Sequence, residues 1–125
     1  MNWSAAGAIL LALAVMLGAF GAHGLKDRLD AYSMGVYEKA VFYHFIHALG
    51  LLIVSILPKT GTFSDFATNL VCGLLLVGIV IFSGSLYLLA ITGNRMLGAI
   101  TPLGGISFIA AWLALAWFLM ARSVR

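Results

Sequence analysis

The residues of this chain that could do chemistry gather in its second apolar run. That run begins Tyr37-Glu38-Lys39-Ala40-Val41-Phe42-Tyr43-His44-Phe45-Ile46-His47. At helical spacing Tyr37, Ala40, His44, His47, Ala48, Leu51 and Ser55 share one face. That face is small and polar where lipid would demand apolar groups, so it is expected to point inward. Elsewhere His23, Ser83, Ser85, Tyr87 and Thr101 add the polar groups that such a face could meet.

Four chemistries are open to this set. Buried polar residues can bond across helices and fix their register, at roughly 1 kcal/mol per bond. His titrates near neutral pH, so His44 and His47 could line a path for protons or a small solute, with Tyr37 and Glu38 at its mouth. His residues at i and i+3 can also chelate a metal or haem, but ligation needs further ligands, and His23 is the one other imidazole. Nucleophilic catalysis is the weakest reading: Ser83 and Ser85 flank Gly84 without a nearby acid, and Phe82-Ser83-Gly84-Ser85 is not a nucleophile elbow. Neither a cofactor nor a metal is assigned, and no catalytic residue is named.

The elements that position these groups follow from composition. The chain has 125 residues, of which 63% are hydrophobic and 9% charged, against about 25% charged in soluble domains. Such a chain fits a bilayer, where a spanning helix needs about 20 apolar residues. Four stretches qualify: 3–22, 38–57, 66–92 and 97–121. The expected fold is all-α, one transmembrane domain of four helices in an up-down-up-down bundle. Ala19-Phe20-Gly21 resembles a signal-peptidase site, yet Met1-Asn2-Trp3 carries no base and the run is long, so the first span is read as retained.

Pro58 and Gly61 mark the end of the second helix, and Gly93-Asn94 the turn after the third. Thr101-Pro102 reads as an N-cap followed by Pro at the first helical position, or as a kink in one continuous helix. The polar connector from Lys26 to Gly35 reads as a short interfacial helix or a solvated loop. The net charge of +3 sits at span ends, which suits anchoring to lipid and offers no groove to nucleic acid. Lys26, Arg28, Lys39 and Arg95 fall at one end and Lys59, Arg122 and Arg125 at the other, too even a split to orient the bundle. The lone Cys72 reads as a small buried hydrophobe.

In lipid, helices associate through small residues. Gly7, Ala14, Gly18 and Gly21 form a stripe on the first span, the Ser83-Gly84-Ser85 triplet reads as a close approach on the third, and Gly98, Thr101 and Gly105 share a side of the fourth.

The segments Gly18-Ala19-Phe20-Gly21-Ala22-His23-Gly24-Leu25, Tyr43-His44-Phe45-Ile46-His47-Ala48-Leu49, Phe82-Ser83-Gly84-Ser85-Leu86-Tyr87 and Thr101-Pro102-Leu103-Gly104-Gly105 resemble a family of small four-span membrane proteins. That family is catalogued as a domain of unknown function and includes bacterial YgdD-like proteins and a mitochondrial relative. The resemblance implies a bacterial inner-membrane protein with a retained first span, and it supplies no activity. It highlights His23, His44, His47 and the Ser83-Gly84-Ser85 triplet, with Gly104 and Gly105 in its last motif. The chain departs from the pattern at Ala111, before Trp112, where family members often carry Gly. The function expected is therefore packing or self-assembly in the membrane without catalysis, as a homo-oligomer or inside a larger complex among lipids. A proton or small-solute pathway is the second reading, and haem or metal binding the third.

Overall fold

A computed structural model describes residues 1–61 and 63–123 of the chain. Among these residues the regular structure is helical, with no strand. The helices are α1 (Trp3–His23), α2 (Ala31–Ile56), α3 (Asp65–Gly78), α4 (Gly84–Thr92) and α5 (Thr101–Ser123). A 3-10 turn at Leu57–Thr60 extends α2, a π-helical segment at Ile79–Ser83 joins α3 to α4, and a 3-10 turn at Arg95–Ala99 precedes α5. The result is four stretches long and apolar enough to cross a membrane: Trp3–His23, Ala31–Thr60, Asp65–Thr92 and Arg95–Ser123.

Local chemistry sets the ends. Asn2, Asp30 and Ser64 cap α1, α2 and α3 by accepting the backbone N–H of Ala5, Ser33 and Ala67. The Ser33 N–H donated to Asp30 also holds that carboxyl below the usual carboxylate range. Gly61 and Gly93 close their turns at φ of 69° and 71°, a left-handed conformation that suits glycine.

One boundary differs from the sequence reading, and at another one of its two alternatives is realised. The second helix starts at Ala31, seven residues before Glu38, because the Asp30 cap nucleates it ahead of the apolar run. The connector is therefore no interfacial helix: the residues from Gly24 to Asp30 are turns, and Leu25 packs down on Tyr37 and Ala90 to close that end of the bundle. At the other disputed boundary, α5 starts at Thr101, with a separate turn before it. The Thr101 hydroxyl does not act as a cap; it lies 2.6 Å from Ser85 Oγ on α4.

Pairings along the helices give the topology. Ser4 meets Ser55, Gly7 meets Leu52 and Gly18 meets Val41, so α1 and α2 run antiparallel. Ser107 bonds Leu74, while Gly104 approaches Phe82 and Thr101 meets Ser85, so α5 runs antiparallel to the third span. Trp3 Nε1 donates to Asn69 at 2.6 Å, which sets the first and third spans parallel. This is the up-down-up-down order. The second and third spans bury 44% of their most apolar windows, against 17% and 22% for the first and fourth. The core thus lies between α2 and α3, around Leu51, Val54, Val71, Cys72 and Leu75, with Phe108 and Ala111 of α5 closing it. Cys72 is fully buried there, its thiol turned to the Leu51 carbonyl. Arg122 reaches the Gly61 carbonyl at 2.7 Å, which joins those two residues at one end; Arg125 lies outside the described residues.

Candidate functional site

The inward face of α2 is built as its spacing demands. Tyr37, Ala40, His44, His47, Ala48, Leu51 and Ser55 are all buried, while Phe42, Phe45 and Leu49 are exposed on the lipid side. One turn separates His44 from His47, and the two rings go to different neighbours.

His44 turns toward the third span. Its Nδ1 lies 2.9 Å from the Tyr87 hydroxyl. Tyr87 also meets Tyr37 edge-on, with ring centroids 5.3 Å apart, and the Tyr37 hydroxyl donates to the Leu17 carbonyl of α1. These contacts link α4 to α2 and α2 to α1 over about two turns of α2. His44 Nε2 is buried and has no hydrogen-bond partner among the described residues. With the proton on Nε2, Nδ1 accepts from Tyr87; with the proton on Nδ1, the imidazole donates to the Tyr87 oxygen.

His47 turns toward α5. Its Nδ1 lies 2.7 Å from the Tyr43 carbonyl one turn earlier. A carbonyl only accepts, so Nδ1 carries the proton. The ring stacks on Phe108 at 3.5 Å between centroids and 14° between planes. Phe108 in turn lies against Gly78, where an added Cβ would strike its ring. The small residue of α3 therefore makes the room in which the α5 aromatic meets the α2 imidazole.

The third span contributes through its π-helical segment, an irregularity that often marks a specialised site. Phe82 lies in it, and its backbone and Cβ come so close to Gly104 that a Cβ there would collide with them. Ser83 is fully buried and its hydroxyl has no partner among the described residues. Ser85 Oγ lies 2.9 Å from the Phe82 carbonyl and 2.6 Å from Thr101 Oγ1. A hydroxyl has one proton, so if Ser85 donates to the carbonyl, Thr101 must donate to Ser85.

Of the polar residues singled out, the structure links His44 to Tyr87, Tyr87 to Tyr37, and Ser85 to Thr101. His23 does not join them; it is exposed at the end of α1. Among the described residues no three of His, Cys, Asp and Glu come together as metal ligands. Neither Ser83 nor Ser85 bonds an imidazole, so no Ser–His pair is formed there.

The packing glycines divide. Gly21 lies under the Tyr37 ring and Gly104 against the Phe82 backbone, both too close for a Cβ; a Cβ added at Gly18 would stand 3.4 Å from Val41, and one at Gly105 3.8 Å from the Phe82 ring. Gly84 corrects the reading of its triplet: an added Cβ there would meet nothing within 4 Å. Ser107 was not singled out by its sequence, yet its hydroxyl donates to the Leu74 carbonyl at 2.7 Å and ties α5 to α3. Its one signal is periodic, a small polar residue three positions beyond Gly104 on the buried side of α5. Gly50 and Gly78 accept the rings of Trp112 and Phe108, and nothing local to either glycine foretells that.

Comparison with known proteins places this arrangement among relatives. Residues 17–105 match the model of a family described as "Protein of unknown function (DUF423)". The chain is 50% identical over 109 residues to a UPF0382 membrane protein of Staphylococcus haemolyticus, covering 87% of each chain. It is 48% identical over 108 residues to the UPF0382 membrane protein YwdK of Bacillus subtilis, covering 86% of each. A Staphylococcus aureus relative of the same designation is 42% identical over 109 residues, covering 87% of each. No solved structure matches the chain.

Proposed function

The chain belongs to the DUF423 family, whose relatives are membrane proteins of unestablished role, and on that premise we propose that it acts without catalysis, by packing with itself or within a larger membrane complex. The observation that carries the proposal is how the inward polar groups are used. His44 is tied to Tyr87, His47 to the Tyr43 carbonyl and the Phe108 ring, and Ser85 to Thr101. The His44–Tyr87 contact and the His47–Phe108 stack hold α2 against α4 and α5, and Ser85–Thr101 holds α4 against α5, which is the use of buried polar side chains inside a bilayer. A group that carries protons or binds substrate would instead face a wet or open cavity. The outward faces of α1 and α5 remain for lateral contact, with Ile9, Val15 and Met16 on one and Leu113 and Trp117 on the other all more than half exposed. The membrane is proposed to be the bacterial inner membrane, which suits a small helical span protein related to bacterial ones.

Energy transfer between donor- and acceptor-labelled copies in vesicles tests this reading. Transfer that stays above random proximity as lipid dilutes the protein is the expected result. A fall to the random-collision level would remove self-association.

A further inference from the structure

The C-terminal half of α1 and the N-terminal half of α2 leave a groove of about 350 Å³ on the outer surface of the bundle. Gly18 and Gly21 thin its α1 wall, Val41, Phe42 and Phe45 form its α2 wall, and Glu38 is its one charged lining residue. The size lies in the range that holds a small organic group.

Depth gives the groove a polarity. Glu38 and Gly21 line its upper part, two residues from His23 at the end of α1, where the polar turns begin. From Glu38 the groove follows α2 inward to Phe45, about 10 Å at 1.5 Å per residue. It therefore runs from headgroup level into roughly the first third of a hydrocarbon layer ~30 Å thick. Glu38 has no hydrogen bond or ion pair with any described residue, Lys39 beside it included. Glu38 is exposed, and an unpaired carboxylate at the rim of an apolar slot suits a cation that arrives with an apolar tail. A primary ammonium can donate hydrogen bonds to that carboxylate, whereas a trimethylammonium has no N–H and an anionic headgroup brings the carboxylate no counter-charge.

We propose that this groove is a binding site for a phospholipid with a primary-ammonium headgroup, its ammonium on Glu38 and an acyl chain against Val41, Phe42 and Phe45. The site does not depend on self-association, since one copy of the chain supplies both of its walls. Gly18, Gly21 and Ala22 line the α1 side of the groove, Val41, Phe42 and Phe45 line the α2 side, and α2 carries the acid above them.

Native mass spectrometry of the full-length protein in detergent micelles tests the proposal. The protein is titrated with ethanolamine, choline and glycerol phospholipids of identical acyl chains. The ethanolamine lipid is expected to bind about fivefold more tightly than the other two, the scale of one partly exposed ion pair. Glu38→Gln should abolish that preference, Glu38→Lys should favour the glycerol lipid, and Lys39→Gln should leave the ethanolamine preference in place. Thermal unfolding of each variant confirms that these exposed positions leave the fold intact. Equal retention of the three lipids by the wild type would overturn the proposal. So would an ethanolamine preference that survives Glu38→Gln or disappears with Lys39→Gln. The same spectra count protein copies, so failure of self-association is read separately from failure of lipid selection.

Discussion

The same substitution, Gly to Ala, should act in opposite directions at Gly104 and Gly84. At Gly104 a Cβ would stand 2.7 Å from Phe82 Cα and Cβ, where carbon atoms prefer about 3.5–4.0 Å. The obstacle is backbone, so no rotamer change relieves it; α5 must retreat by about 1 Å to restore ordinary carbon contact. Thr101–Ser85 and Ser107–Leu74, at 2.6 and 2.7 Å, flank that contact, and a retreat of ~1 Å carries both beyond hydrogen-bond range. Overpacking costs about 1–3 kcal/mol, and each interhelical bond in lipid adds about 0.6 kcal/mol. The net expectation for Gly104→Ala is a loss of about 2–4 kcal/mol. At Gly84 an added Cβ would meet no other part of the bundle within 4 Å, so the helix preference of Ala over Gly decides the sign. That preference is about 0.5–1 kcal/mol in water. It is smaller where helices persist on unfolding, which gives Gly84→Ala a gain of about 0–1 kcal/mol. Unfolding by sodium dodecyl sulfate in mixed micelles, followed by circular dichroism and tryptophan fluorescence, measures both. Equal effects at the two positions would refute the packing account.

Ser107→Ala should cost about 0.6 kcal/mol, and at most ~1.7 kcal/mol, through the lost bond to Leu74. Ser83→Ala should be neutral or stabilising, because its buried hydroxyl has no partner to lose among the described residues; the micelle unfolding assay compares the two. Asp30→Ala should weaken the start of α2, seen as faster amide exchange at Ser33. The Asp30 carboxyl is lower in the folded state than in the unfolded chain, so its stabilising effect is complete above the unfolded value near pH ~4 and fades as pH falls through the folded one. The gap between wild type and Asp30→Ala should therefore close in strong acid. Proteoliposomes carrying the wild type should pass no more protons than empty ones under a pH gradient. A flux lost in well-folded His44→Leu or His47→Leu would reverse the reading of these residues.

Some of this architecture is legible from residue types alone. The inward face of α2 can be read because Tyr37, His44, His47 and Ser55 are polar groups repeating at helical spacing among residues that suit lipid. The start of α2 is hidden because Tyr32 to Gly35 reads as part of the polar connector, while a single side chain, Asp30, sets the boundary. The π segment at Ile79–Ser83 leaves no mark in composition: Ile, Val and Phe suit any apolar helix, and the change of register goes with Phe82 meeting Gly104 across the bundle. Gly84 and Gly104 look alike as residues, and the facing helix decides which of them is a contact. The groove beside Glu38 is equally a product of packing, since Gly18 and Gly21 become its wall only when α2 stands against α1.

The claim that the intramembrane histidines tie helices together is tested most directly by a double-mutant cycle on His44 and Tyr87. Unfolding free energies of the wild type, His44→Leu, Tyr87→Phe and the double variant isolate the contact that His44 Nδ1 makes with the Tyr87 hydroxyl at 2.9 Å. The structure predicts a favourable coupling of about 0.6 kcal/mol, with ~1.7 kcal/mol as the upper bound for such bonds in lipid. Strictly additive losses, or a Tyr87→Phe variant as stable as the wild type, would contradict it.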